Sequence, residues 1–193
     1  VLLAASTRKA WVGITLTVQD FENYNRLDYK RPASDSKSGM LPPKLSQMMV
    51  NMAGGSSNTL YDPFCGSGTI VMMASLLGHI KLYASDISEK AVQDTQINMQ
   101  WFQQEFDVHD LKLRIFEHDI SEPVPGIEPG SINAIVAEPY LGRPQTGKES
   151  DEDITKQKIQ LEKLYIKAFK QFNDLLDSKG RIIIVFPLFK NNI

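Results

Sequence analysis

Asp62-Pro63-Phe64-Cys65-Gly66-Ser67-Gly68-Thr69 is the stretch on which the reading of this chain turns. It lies between a strand expected over Thr59 to Asp62 and a helix expected over Thr69 to Leu77. In an open α/β sheet, the carboxyl end of a strand is where ligands bind. Gly66 and Gly68 let the backbone pass close to a ligand, and the helix start beyond them offers free amide donors to a carboxylate. A tight βα turn without a ligand needs the same glycines. Val71 stands where the dinucleotide fingerprint has its third glycine, which disfavours a nicotinamide or flavin cofactor.

Working outward from that turn, strands and helices alternate. A helix is expected over Lys44 to Ala53, opened by Pro42-Pro43 and stopped by Gly54-Gly55. After the turn come a strand over Lys81 to Asp86, a helix from Glu89 to about Phe106 and a strand over Lys112 to His118. A fourth strand over Ser131 to Ala137, a long helix over Ile154 to Leu176 and a fifth strand over Arg181 to Phe186 complete the series. The repeated βαβ pattern and the unbroken Ile182-Ile183-Ile184-Val185 run predict an α/β fold, a doubly wound and mainly parallel sheet covered on both faces. Leu161, Leu164, Tyr165, Ala168, Phe169, Phe172, Leu175 and Leu176 form the apolar stripe that lets the long helix cover the sheet. Upstream, Gly13 to Val18 alternates like a short strand, and polar, aperiodic Asp20 to Arg31 reads as a connector. Gly142 to Asp153 is polar, charged and rich in Gly and Pro, and reads as a mobile loop beside the site.

Composition sets the limits. The chain has 193 residues, 42% hydrophobic and 23% charged with a net charge of -2, which is ordinary for one globular domain and gives no basic footprint for nucleic acid. One cysteine, Cys65, excludes an internal disulfide, and three histidines offer no zinc-site spacing, so no metal is expected and a reducing, cytoplasmic setting fits. The longest apolar runs fall far short of the roughly 20 residues that span a bilayer, so no membrane association is expected. The opening Val1-Leu2-Leu3-Ala4-Ala5-Ser6 has no initiator Met and no basic flank, and reads as a cut inside a longer protein.

Acids mark the other strand ends. Asp86 closes the second strand, where a carboxylate can accept from both ribose hydroxyls of a nucleotide-like ligand or cap the turn ahead of Ser88. Asp119, after the third strand, either lines an adenine pocket or caps a turn. The fourth strand runs into Glu138-Pro139-Tyr140, where an acid, a rigid turn and an aromatic ring arrive together. An exocyclic amine on a base is a poor nucleophile because its lone pair is delocalised into the ring. Glu138 and the Pro139 carbonyl can accept its hydrogens and localise that pair while Tyr140 stacks on the base. An ordinary strand-ending turn is the alternative.

Several stretches together resemble one family: Leu27-Asp28-Tyr29-Lys30-Arg31-Pro32, Gly39-Met40-Leu41-Pro42-Pro43-Lys44-Leu45, the turn Asp62 to Thr69, and the acid-Pro-Tyr element. They are similar to the tRNA guanine-N2 methyltransferases of the guanosine-10 type, whose catalytic domain is of the UPF0020 RNA-methylase kind. The likeness covers nearly the whole chain. It implies a Rossmann-like class I methyltransferase fold that stops here after its fifth strand, with S-adenosylmethionine as cofactor and tRNA as partner. It also implies an upstream THUMP-like domain that assists RNA binding, with residues 1–30 a strand and connector from it and residues 31–193 the catalytic domain. On this likeness, Asp62, Pro63, Phe64, Cys65, Gly66, Ser67, Gly68 and Thr69 hold the methionine end of the cofactor. Asp86 holds its ribose, Asp119 faces its adenine, Ile87 and Ile120 are further cofactor-binding positions, and Glu138, Pro139 and Tyr140 hold the target amine. The family's usual final element is Asp-Pro-Pro-Tyr, so the acid here is longer and has one residue fewer before the aromatic ring. DNA amino-methyltransferases share the turn, but in the class with the close match the catalytic element precedes it, whereas here it follows. A DNA amino-methyltransferase and a non-catalytic cofactor- or RNA-binding module remain the alternatives. Arg26, Lys30, Arg31, Lys37 and Lys44 are candidate phosphate contacts or a solvated loop.

Overall fold

A computed structural model describes residues 2–33, 39–55, 59–145, 147 and 149–189. The chain divides into two compact units, residues 1–30 and 31–193.

The first unit holds a hairpin and a helix. Strand β1 (Leu2–Ala5) pairs antiparallel with β2 (Ala10–Gly13), and Ser6 N donates to the Lys9 carbonyl across the turn at 2.7 Å. The strand expected over Gly13 to Val18 is thus displaced. β2 ends at Gly13, which pairs with Leu2. The connector expected over Asp20 to Arg31 is instead largely helix α1 (Phe21–Tyr29). Asp20 caps it by accepting from Asn23 N at 3.1 Å, Glu22 favours its positive end, and Phe21, Tyr24 and Leu27 recur at helical spacing along it.

In the second unit, α2 (Pro43–Ala53) starts with Pro43 in its first turn and turns Ser46, Met49, Val50 and Ala53 inward. Five parallel strands follow, in the spatial order β5 (Lys112–Glu117), β4 (Lys81–Asp86), β3 (Leu60–Asp62), β6 (Ile132–Ala137), β7 (Leu176–Ile184). Three helices link them: α3 (Thr69–Leu76), buried along nearly its whole length, α4 (Glu89–Glu105), and α5 (Asp151–Leu175). Tyr61, Ile132 and Ile135 of the sheet meet Ala168, Phe172 and Leu175 of α5 in one core cluster, the docking expected from the apolar stripe.

Two element starts differ from expectation, and β7 ends at Ile184, short of Phe186. β7 begins at Leu176, five residues before Arg181, because Asp177 to Gly180 form an irregularity within the strand. Ile132 pairs with Leu176 while Ala134 pairs with Arg181, and the extra residues are gathered by Lys179 N donating to Asp177 Oδ1 at 2.7 Å and by Asn133 bonding Asp177. α5 begins at Asp151, which shortens the loop expected over Gly142 to Asp153. Ser150 caps the helix by accepting from Asp153 N at 3.1 Å, and Asp151, Glu152 and Asp153 fill its first turn.

Strand order sets the position of the site. From β3 the chain winds outward to β4 and β5, then crosses back to β6 on the other side of β3. The sheet therefore reverses direction between β3 and β6, and the crevice at a topological switch point is where doubly wound sheets bind ligands. β3 ends at Asp62 and β6 leads into Glu138.

Candidate functional site

A cavity of about 570 Å³ opens at that switch point. Asp62, Phe64, Gly66, Ser67 and Thr69 line it from the glycine turn, and Glu138, Pro139 and Tyr140 from the end of β6. Gly39, Met40 and Leu41 close a further side, so the start of the Gly39 to Leu45 run is cavity wall.

Electrostatically the cavity is acidic. Asp62 is buried, 1% exposed; its Oδ1 accepts from Phe64 N at 3.1 Å, and its Oδ2 has no hydrogen-bond partner among the described residues. Burial pushes this carboxyl well above the ordinary range, and the nearby carboxylates of Asp86 and Glu138 push the same way. Glu138 is half-buried and is also raised by burial. Two strand ends thus present carboxyl groups that favour a cation or a hydrogen-bond donor as guest.

The turn is built from behind. Cys65 N donates to the Ser85 carbonyl at 2.9 Å, and Gly68 N to the Cys65 carbonyl at 2.7 Å. Gly66 and Gly68 take φ of 51° and 86°, in the left-handed region. A Cβ on Gly68 would lie 3.0 Å from Thr95 Cγ2, whereas one on Gly66 meets open space. The two glycines therefore do different jobs: Gly68 lets α4 approach, and Gly66 keeps the cavity side bare. Thr95 Oγ1 donates to the Gly66 carbonyl and Asn98 Nδ2 to the Ser67 carbonyl, both at 2.8 Å, turning those carbonyls into the protein. Asn98 also bonds both the carbonyl and the amide of Ala33. Arg31, only 5% exposed, donates through Nη1 to Thr69 Oγ1 at 2.8 Å and to Ser67 Oγ at 3.2 Å.

These three supports went unread in the sequence. Arg31, taken as a candidate phosphate contact, is committed to the turn instead; Lys37 lies outside the described residues. Thr95 and Asn98 carried a usable signal, being polar residues on the stripe Val92, Thr95, Asn98, Met99, Phe102 that α4 buries. Polar side chains on a core-facing stripe need internal partners, and here the partner is the turn.

The remaining sequence candidates fall as follows. Asp86 Oδ2 accepts from Gly66 N at 3.1 Å and Oδ1 from Ser88 N at 3.0 Å, so it braces the turn and caps its own strand end. Pro63 and Gly68 are buried behind the turn, and Ile87 is 67% exposed. Asp119 is exposed, with Oδ1 accepting from Ser121 N at 2.8 Å in a capped turn. Ile120, 3% exposed, has its side chain in the core cluster. None of these lines the cavity described above. Cys65 does line the cavity but is buried, and burial pushes its thiol far up, so it is no nucleophile at neutral pH. Among the described residues there is no cluster of His, Cys, Asp or Glu fit to hold a metal, and no helix long and apolar enough to cross a membrane.

A five-stranded parallel sheet in this order, with a glycine turn after its central strand, is the Rossmann-like architecture that class I S-adenosylmethionine-dependent methyltransferases share with dinucleotide-binding domains. The described fold is similar to that of TrmN from Thermus thermophilus, at 23% identity and a TM-score of 0.62, over 92% of this chain and 46% of that one. The chain belongs to the UPF0020 family, the RMKL-like methyltransferase domain, which matches residues 30–191. It is 35% identical over 89 residues to a tRNA (guanine(10)-N2)-dimethyltransferase of Methanothermobacter thermautotrophicus, covering 45% of this chain and 26% of that protein. With the enzyme of the same name from Methanocaldococcus jannaschii it shares 31% over 108 residues, covering 54% of this chain and 29% of that protein. The chain thus spans well under half the length of the curated relatives it matches.

Proposed function

We propose that this chain binds S-adenosylmethionine in the cavity between the Asp62 turn and Glu138, and transfers its methyl group to the exocyclic N2 amine of a guanine in tRNA. The observation that carries the reading is the buried Asp62 Oδ2, unpartnered among the described residues, in a cavity it shares with Glu138. A buried carboxyl held above its usual range is stabilised by a cationic guest, and the α-ammonium group of the methionine end is one. When bound, the cofactor supplies an electrophilic methyl carbon on a sulfonium centre. The bare face at Gly66 accommodates close approach of that end, and Asp86, half-buried, braces the turn by accepting from Gly66 N.

Glu138 takes the amine. Its carboxylate accepts an amine hydrogen and draws the nitrogen lone pair out of conjugation, while the Pro139 carbonyl accepts the second. Tyr140, 57% exposed at the mouth, stacks on the base, a contact typically of about 1–3 kcal/mol. Guanine in tRNA is the substrate favoured because both curated relatives are named for it. The residues upstream of Arg31 belong, in this reading, to the part of the protein that delivers the RNA.

Full-length protein incubated with methyl-labelled donor and unmodified tRNA, followed by nucleoside mass spectrometry, tests the proposal. Label in N2-methylguanosine or N2,N2-dimethylguanosine is the expected result. Transfer to DNA alone, or to no nucleic acid, overturns it.

A further inference from the structure

The acid-Pro-Tyr segment leaves the sheet at Ala137, whose carbonyl accepts from Val185 N at 3.3 Å, and Pro139 has no N–H with which to extend the ladder. Something else must set where Pro139 and Tyr140 point. Helix α5 carries it. The Tyr165 hydroxyl donates to the Tyr140 carbonyl at 2.8 Å, a bond spanning 25 residues of chain. Two turns earlier on the same face, Gln157 packs so closely that a Cβ on Gly142 would lie 2.1 Å from its Nε2. The Tyr140 end of the segment is therefore held by α5, and Gln157 of the same helix packs against Gly142 just beyond it.

Tyr165 is a stiff support. Phe186 meets its ring edge-on, with centroids 5.3 Å apart at 78°, and Phe169 stacks on Phe186 at 6.1 Å. Burial holds the phenol above its ordinary value, so it stays a neutral donor through the physiological range. Phenylalanine would keep all of the ring packing and lose only the bond to Tyr140.

We propose that Tyr165 is a positioning residue for methyl transfer: through the Tyr140 carbonyl, its hydroxyl sets the angle at which the Tyr140 ring and Glu138 meet the target amine. This rests on the reading of Glu138-Pro139-Tyr140 as the amine-binding element. It separates Tyr165 from its stripe neighbours Leu161 and Ala168, whose work is packing alone.

The test compares wild type with Tyr165→Phe in full-length protein, measuring kcat for tRNA methylation at saturating donor, the Kd for S-adenosylmethionine, and Tm. The expected result is a fall in kcat of about tenfold, the usual scale for one lost hydrogen bond, with donor Kd within about twofold of wild type and Tm nearly unchanged. A Tyr165→Phe protein with wild-type kcat overturns the positioning role while leaving the site assignment intact. Parallel loss of donor affinity and Tm overturns it too, because that marks a purely structural residue. Wild-type protein that transfers no label to tRNA removes the reading beneath it, a failure distinct from the other two.

Discussion

Asp62 and Glu138 are the carboxyl groups proposed to set the chemistry of the cavity, and their burial makes that testable. For Asp62 the folded state holds its proton at a pH where the unfolded chain has released it. Stability is then full below the ordinary carboxylate pKa and falls as pH rises from about 4 towards the raised folded value. Asp62→Asn removes that slope. Thermal melts of the ligand-free protein between pH 4 and 8 should show the variant no less stable than wild type at neutral pH, and flatter with pH. Glu138 makes its claim on rate. Glu138→Gln should lower kcat by about a hundredfold, the scale for losing one transition-state contact, while donor affinity stays near wild type. Because burial raises its pKa, the wild-type rate should climb with pH through an inflection above the ordinary glutamate value, then level off. A pH-rate profile with no acid limb would remove Glu138 from the reaction.

At the scale of elements, the turn between β3 and α3 depends on what stands behind it. Gly68→Ala meets both a φ of 86° and a contact of 3.0 Å with Thr95, so it should cost about 1–2 kcal/mol of stability or more. Gly66→Ala has the same backbone strain and no clash, but its methyl group faces the cavity side. Its donor affinity should therefore fall more than its Tm, and calorimetry beside thermal melts separates the two glycines. Arg31→Ala strips the donor from Ser67 and Thr69. A loss of about 2 kcal/mol, which is about 4–8 °C in a domain of this size, should appear in Tm, while the salt dependence of tRNA binding stays unchanged. An altered salt slope with intact Tm would return Arg31 to the phosphate-contact role.

Across the whole molecule, what could be read from sequence was what local pattern encodes. β4 has the predicted ends at Lys81 and Asp86, and α2, α3, α4, β3, β5 and β6 each lie within a residue or so of expectation, because apolar runs bounded by Gly, Pro and acids mark their own limits. Helix α1 is hard to read because its apolar residues Phe21, Tyr24 and Leu27 span only two turns among polar neighbours, and the start of β7 because Asp177 to Gly180 looks like a turn yet lies inside the strand at a register shift. The supports of the site were least legible. Arg31 with Thr69, Asn98 with Ser67 and Tyr165 with Tyr140 join positions 25 to 38 residues apart, and only the folded chain brings them together. The cavity they shape is the proposed donor site, and calorimetric titration of S-adenosylmethionine into wild-type protein and Asp62→Asn probes it. One-site binding to wild type that weakens at least about tenfold in the variant is the expected result, and no binding, or equal affinity in both, would contradict it.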